Sequence, residues 1–127
     1  MAMGRGNAVM AAAVFCLVVV AFQSEVAHAK TFIVGDANGW TFGVQSWPNG
    51  KSFNAGDVLV FKYPQGVHTV AVVNQAGFDS CSVIPKGAKV FTSGNDQVTL
   101  VSGNNNFICT IADHCSKQGL KMTVHAV

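Results

Sequence analysis

Short runs of apolar and β-branched residues alternate with turn-forming residues along most of the chain. The runs occupy residues 30–34, 58–63, 67–73, 89–92, 97–101, 107–110 and 120–124, and Gly, Asn, Asp, Ser and Pro separate them. No long segment after residue 29 has helical periodicity. The pattern predicts an all-β sandwich or barrel, in which 58–63 and 67–73 form a hairpin-like pair, 74–87 is a loop and 102–105 is a turn.

The N-terminal residues follow a different pattern. Arg5 precedes an apolar run over residues 8–22, and small residues stand at Ala27 and Ala29. This arrangement is typical of a secretory signal peptide, here residues 1–29. A retained membrane anchor is disfavoured, because the run is short for a membrane span and no stop-transfer pattern follows. We therefore expect a secreted protein without a membrane anchor, with one domain over residues 30–127.

The charge of residues 30–127 excludes some partners. This segment contains seven Lys and five Asp but neither Arg nor Glu. The balance is mildly basic, with no basic stripe and no interleaving of basic and aromatic residues, so the sequence argues against nucleic-acid binding.

Three cysteines, Cys81, Cys109 and Cys115, remain after the signal peptide. An odd number in an oxidising compartment is explained by one disulfide and one metal-bound thiolate, with a free thiol or an intermolecular bridge as the alternative. Cys115 is free to pair with Cys81. Pairing of Cys109 instead remains possible, and it would remove the only thiolate.

Residues 107–122 bring together thiol, imidazole and thioether groups, namely Cys109, His114 and Met122. A second imidazole has to come from elsewhere, and His68 is the internal candidate. By itself a histidine beside an apolar strand is more often a packed residue than a ligand. His68 becomes a candidate ligand only because Cys109 and His114 need a partner. Two His, one Cys and a weak axial group form the expected set for an electron-transfer copper site.

Other chemistry is less favoured. A zinc hydrolase could use the same three ligands with an open fourth position, but only Asp113 is near enough in sequence to act as a base. We expect Asp113 to cap the loop instead, and His125 to face solvent. The aromatic residues Trp40, Phe42 and Trp47 are expected to pack in the core and to have no chemical role.

Several stretches of residues 30–127 resemble signature stretches of the phytocyanins, the plant family of small blue copper proteins, and most of all its plantacyanin (basic blue protein) branch. They occur in the family's order: Gly39-Trp40-Thr41-Phe42, Ser46-Trp47-Pro48, Ala55-Gly56-Asp57, Val67-His68, Val73-Asn74-Gln75, Gly77-Phe78 with Cys81, Gly87-Ala88-Lys89-Val90, Thr92-Ser93-Gly94 and Phe107-Ile108-Cys109. The resemblance implies a cupredoxin-like Greek-key sandwich or barrel and a disulfide between Cys81 and Cys115. It also implies one copper ion held by His68, Cys109 and His114.

The sequence departs from this family at the axial ligand. The segment between His114-Cys115 and the last strand is one residue longer than in the plantacyanin pattern, which places Leu120 where the family has its axial Met. Three arrangements stay open: Leu120 above the copper with no axial protein ligand, an axial Met122, or an axial Gln118.

The resemblance implies a function without substrate turnover. We expect a monomeric, secreted electron carrier that exchanges electrons with a redox protein or a small reductant, with His114 near the surface as the exit route. The alternative is an extracellular signalling or adhesion module that keeps the fold while copper is structural or absent.

Overall fold

The computed structural model describes residues 28–127. The signal peptide predicted for residues 1–29 thus lies almost wholly outside the described residues. No helix among residues 28–127 is long and apolar enough to cross a bilayer.

Within residues 28–127, seven strands form two sheets. The first sheet has the order β1 (Thr31–Ile33), β2 (Val58–Lys62) and β5 (Asn95–Thr99), with β1 parallel and β5 antiparallel to β2. The second sheet has the order β4 (Val90–Phe91), β3 (Val70–Val73), β6 (Gly103–Ile108) and β7 (Lys121–Ala126), all antiparallel. The predicted all-β class is confirmed.

The main hydrophobic core includes side chains of both sheets. Leu59 and Phe61 of β2 belong to the same buried cluster as Phe107 of β6 and Met122 and Val124 of β7. These positions alternate along their strands, so each strand turns one row of side chains toward the opposite sheet. Trp40 is fully buried in the same core, as the sequence predicted, and its ring lies edge-on to Phe61.

A smaller cluster packs on the other face of the second sheet. It contains Ala71, Val73, Ile108 and Cys115, with Phe78 and Cys81 packed against them. Cys81 and Cys115 form a disulfide with a Cα–Cα distance of 5.7 Å, so the predicted pairing is confirmed. The two cysteines are 34 positions apart. On the chain-entropy model, closing a loop of this length adds roughly 4 kcal/mol to the free energy of unfolding.

Three local predictions are wrong. Strands β2 and β3 are not a hairpin pair, because β2 pairs with β1 and β5 while β3 pairs with β4 and β6 in the other sheet. Residues 74–87 are not only a loop: they contain the helix α1 (Gln75–Ser80), where the Asn74 side chain accepts a hydrogen bond from Gly77 N at 2.9 Å. Residues 103–105, predicted to turn, belong to β6.

Candidate metal centre

His68 lies in the connection between the two sheets, two residues before β3 begins. The sequence placed it within a strand, whereas the structure places it in the preceding turn, where an isolated bridge joins Gln65 and His68. Its side chain is only 3% exposed. The next residue, Thr69, is fixed to the core because its carbonyl oxygen accepts a hydrogen bond from Trp40 Nε1 at 2.9 Å.

Cys109 immediately follows β6 and is a buried free cysteine. Its backbone N–H donates to the Leu120 carbonyl at 3.1 Å, which continues the pairing of β6 with β7 by one more residue. The Cys109 side chain belongs to the main core cluster, and only 1% of the residue is exposed. The Cys109 thiol is therefore held at the end of a paired strand and shielded from solvent.

His114 lies on the connection from β6 to β7 and is half-buried. Its backbone N–H donates to Ile111 O at 3.1 Å and its carbonyl accepts from Leu120 N at 2.8 Å, so both sides of the loop are fixed to it. The adjacent Cys115 carries the disulfide to Cys81. The loop also holds Ala112 at a φ of 43°, a left-handed conformation that is unfavourable for a residue with a Cβ.

The structure brings His68, Cys109 and His114 together, with ligand atoms all within 4.8 Å of one another. The Nδ1 atoms of the histidines are 3.1 Å apart, and Cys109 Sγ lies 3.9 Å from His68 Nδ1 and 3.7 Å from His114 Nδ1. A point about 2.1 Å from all three atoms lies inside this triangle, within about 0.2 Å of typical metal bonds to imidazole and to thiolate. The three donors therefore fit one ion.

Two comparisons identify the family to which this site belongs. The plastocyanin-like domain model, of the copper-binding-like type, matches residues 38–119, a segment that contains all three of these residues. The chain belongs to this family. Among solved structures, this phytocyanin superposes on cucumber basic protein, a blue copper protein, with a TM-score of 0.72 and 49% identity, covering 76% of this chain and 99% of that one. Spinach plantacyanin gives a TM-score of 0.65 and 48% identity, covering 70% and 94%.

Sequence relatives agree with this assignment. The phytocyanin is 49% identical over 127 residues to chemocyanin of Lilium longiflorum, with 99% of both chains covered. It is 50% identical over 96 residues to the basic blue protein of Cucumis sativus, covering 76% of this chain and 98% of that protein. The resemblance inferred from the sequence stretches is confirmed.

Burial changes the acid–base behaviour of His68. Desolvation lowers the pKa of His68, the nearby His114 imidazole lowers it further, and a hydrogen bond with the Val67 backbone opposes the shift. The lowered pKa favours the uncharged imidazole, which is the form that binds a metal.

A hydroxyl pair links the segments that carry His68 and Cys109. Thr69 Oγ1 lies 2.7 Å from Thr110 Oγ1 and accepts a hydrogen bond from the Thr110 backbone N–H at 2.8 Å. Because each threonine directly follows one of the converging residues, this contact fixes the distance between the two segments without a metal. Sequence reasoning missed it, since nothing in two isolated threonines 41 positions apart indicates that they meet.

Phe42 corrects the expectation that it packs in the core. It is 42% exposed, and its ring meets the His68 and His114 rings edge-on at centroid distances of 5.2 and 5.0 Å. This contact covers part of both imidazoles, so Phe42 belongs to the site. A family motif containing it was visible in the sequence, but its position was not.

Tyr63 is a further neighbour that the sequence did not reveal. Its ring lies 6.4 Å from that of His68, and its hydroxyl donates to the buried carboxylate of Asp96 and to Phe91 O at 3.2 Å. Burial and the hydrogen bond to Asp96 raise the pKa of Tyr63 to about 12. The tyrosine side chain is therefore uncharged at neutral pH and lies beside the His68 ring.

The three axial candidates occupy different environments. Gln118 is exposed, and its Nε2 donates to Asp113 Oδ1 at 3.3 Å. Met122 is fully buried opposite Phe107, and Leu120 is fully buried beside Cys109. The hydrogen bond from Lys117 N at 2.9 Å goes to the backbone carbonyl of Asp113, whereas its carboxylate accepts the one from Gln118, so the side-chain cap stays a prediction. His125 is exposed beside Asn104, as expected.

Proposed function

We propose that this phytocyanin binds one copper ion through His68, Cys109 and His114 and carries single electrons outside the cell. The observation that supports the proposal most directly is the convergence of two Nδ1 atoms and one Sγ atom, 3.1 to 3.9 Å apart, from the buried His68 and Cys109 and the half-buried His114. One thiolate and two imidazoles suit copper, which supplies one-electron redox chemistry when bound.

The scaffold supports electron transfer because it holds the ligands in place before metal binding. Cys109 is joined to β7 through Leu120, His114 is anchored beside the disulfide, and Thr69 and Thr110 bridge the remaining gap. The ligands then need to move little when the charge of the ion changes, and this lowers the reorganisation energy of each electron transfer. The protein acts as an electron carrier rather than as an enzyme.

We further propose that no side chain supplies an axial ligand and that Leu120 occupies this position. Leu120 is the cross-strand partner of Cys109, as shown by the backbone hydrogen bond between them. Directly opposed side chains have Cβ atoms about 5 Å apart, whereas diagonal neighbours such as Cys109 and Met122 are about 7–8 Å apart. Met122 is also retained in the core opposite Phe107. Gln118 would have to leave the surface.

The exposed side of the site provides the place where a redox partner would dock. His114 is half-buried, and two exposed apolar side chains stand near the histidines in space or sequence, Phe42 at 42% and Val67 at 46%. A small apolar contact of this kind suits a transient encounter with a redox protein or a small reductant. We propose a secreted monomer, released by cleavage of residues 1–29.

The test is the visible spectrum of residues 30–127 after addition of Cu(II). The wild type should turn intensely blue through charge transfer from thiolate to copper, and Cys109→Ser and His114→Ala should abolish the colour. His125→Ala is the matched control, because this histidine is exposed on β7, and it should leave the spectrum unchanged. A folded, colourless wild type that retains no copper would refute the proposal.

A second function is favoured by one observation, the additional residue between His114 and the last strand. This change indicates drift in the metal loop and suits an extracellular signalling or adhesion module in which copper is structural or absent. A protein that binds copper without the blue colour, or binds none, would support this second function.

A further inference from the structure

A cleft lies beside the candidate metal centre, on the segment between β1 and β2. Its volume is about 240 Å³, which is small for a ligand site and suits a molecule with one ring. Its walls come from one continuous stretch of the chain: Gly35, Asp36, Asn38, Gly39, Thr41, Phe42, Gly43, Val44, Ser46 and Trp47.

Two glycines create the shape of this cleft. Gly35 and Gly39 have φ angles of 75° and 71°, and a Cβ on Gly35 would lie 2.0 Å from the carbonyl oxygen of Gly39. A Cβ on Gly39 would lie 2.4 Å from Lys62 O, the same oxygen that accepts from Trp40 N. The close approach of this turn to β2 therefore requires residues without side chains.

The polar side chains of the cleft are available for a ligand. The turns are closed by backbone hydrogen bonds, from Gly39 N to Asp36 O, from Val44 N to Thr41 O and from Asn49 N to Ser46 O. The carboxylate and hydroxyls of these residues are thus not needed to hold the fold. The lining includes one carboxylate and no Lys, Arg or His, so it favours ligands that donate hydrogen bonds and disfavours anions.

Aromatic surface connects the cleft to the histidines. Phe42 and Trp47 both line it, and the Phe42 ring also contacts the His68 and His114 rings edge-on. A flat ring bound in the cleft can pack against Phe42, whose own ring contacts both imidazoles. Phe42 therefore connects a bound ring with both imidazoles.

We propose that this cleft binds an uncharged single ring with neighbouring hydroxyl groups and that its ligand is a small diphenol. Sugars share the hydroxyl pattern, but the contact of Phe42 with both histidines favours a ring that can be oxidised. The diphenol donates its hydroxyls to Asp36, Asn38, Thr41 or Ser46 and packs against the aromatic residues.

The redox part of this inference rests on the proposed function. If His68, Cys109 and His114 hold Cu(II), the ion would accept one electron from the diphenol, and the proton of the broken O–H bond would pass to water or to the Asp36 carboxylate. The remaining phenoxyl radical leaves, and two such radicals disproportionate to one diphenol and one quinone. Two copper centres would thus be reduced for each quinone formed, and the redox partner of the proposed function would accept their electrons.

Binding is tested first on metal-free protein in the presence of EDTA, because catechols also chelate metals. Titration with 4-methylcatechol, followed by NMR chemical shifts, should show saturable shifts that are largest at residues 35–47, with a dissociation constant of about 1 mM. Asp36→Asn keeps a residue that tolerates its positive φ of 53° and should weaken binding about tenfold. Ser46→Ala, in an exposed position, is a second variant that should also weaken binding.

Asp79→Asn is the matched control, since it removes an exposed carboxylate on α1, outside the cleft, and should leave binding unchanged. Glucose is titrated in parallel and should give no saturable shifts. Saturation by glucose but not by the catechol, shifts that are largest away from residues 35–47 and their contacts, or equal affinities for Asp36→Asn and Asp79→Asn would overturn the proposal.

A second readout separates this inference from the proposed function. With copper-loaded protein, the rate of loss of blue colour should saturate with 4-methylcatechol, and Asp36→Asn should lower the rate at low catechol concentration about tenfold. Reduction by hexaammineruthenium(II), which has no hydroxyl groups, should be unchanged by this substitution. If the protein is blue but the catechol rate never saturates, the cleft fails and the copper proposal stands. If no copper binds, the titration still decides the cleft.

Discussion

Thr69 Oγ1 accepts a hydrogen bond from the Thr110 backbone N–H at 2.8 Å while lying 2.7 Å from the Thr110 hydroxyl. The contact is asymmetric, because the single hydroxyl of Thr69 contacts two groups of Thr110, its hydroxyl and its backbone N–H. Since these threonines follow His68 and Cys109, the contact joins the two deepest residues of the candidate metal centre.

This asymmetry predicts that the two threonines differ in importance. Thr69→Val keeps the shape of the side chain but leaves the Thr110 N–H without its acceptor, which should lower the free energy of unfolding by about 1–3 kcal/mol. Thr110→Val leaves that N–H bonded and should cost about 1 kcal/mol or less. Urea unfolding of the metal-free variants measures both values, and equal losses would contradict the asymmetric role.

The position of Leu120 predicts that two substitutions near the metal centre differ in their effect on the reduction potential. Leu120→Gln should lower the reduction potential, because it places a polar oxygen beside the metal and favours the more highly charged Cu(II). Met122→Leu, a volume-conserving change in the core, should leave the potential and the spectrum unchanged and cost less than about 1.5 kcal/mol of stability. Voltammetry measures the potentials. A large shift for Met122→Leu would assign the axial role to Met122.

The two tryptophans predict a contrast in stability. Trp40 Nε1 donates to Thr69 O at 2.9 Å, whereas Trp47 Nε1 is buried without a partner among residues 28–127. Both Trp→Phe substitutions lose volume, but Trp40→Phe also leaves a buried carbonyl unpaired, while Trp47→Phe removes an unpaired N–H. Trp40→Phe should therefore cost about 1–3 kcal/mol more than Trp47→Phe. Thermal or urea unfolding checks this, and the reverse order would show that the bond from Trp40 adds nothing.

Asp57 predicts an acid-dependent part of the stability. Its carboxylate accepts hydrogen bonds from the Lys30 and Asn54 backbone N–H groups, both at 2.9 Å, and these bonds lower the pKa of Asp57 below its usual 3.8. Because the folded-state pKa is depressed, the stabilisation is complete above the unfolded-state value and is lost as the pH falls through the folded-state value.

The corresponding experiment compares urea unfolding of the wild type, Asp57→Asn and Asp79→Asn between pH 6 and about pH 2.5. Asp57→Asn should be less stable than the wild type at pH 6, and the difference should shrink below about pH 4. Asp79→Asn alters an exposed carboxylate and should follow the wild-type curve. A gap between Asp57→Asn and wild type that stays constant with pH would contradict the assignment.

Some features could be predicted because they depend on residues close together in sequence. Apolar runs between turn residues predicted the strands, since alternating side chains and turn propensities act locally. Cys109 and His114 are five positions apart, so one loop can bring them together. Helix α1 is too short for its periodicity to be evident, although Asn74 carries a recognisable capping signal.

The sequence by itself determined the all-β class, the family and the three residues that meet at the candidate metal centre. Only the tertiary structure decided that β2 and β3 lie in different sheets, that His68 stands in a turn, and that Phe42 covers the imidazoles instead of entering the core. The physical reason is that the apolar residues of a segment indicate how much of the segment is buried, but not which other segment it packs against. Pairing between distant strands, and contacts such as the one between Thr69 and Thr110, are selected by the packing of the whole domain.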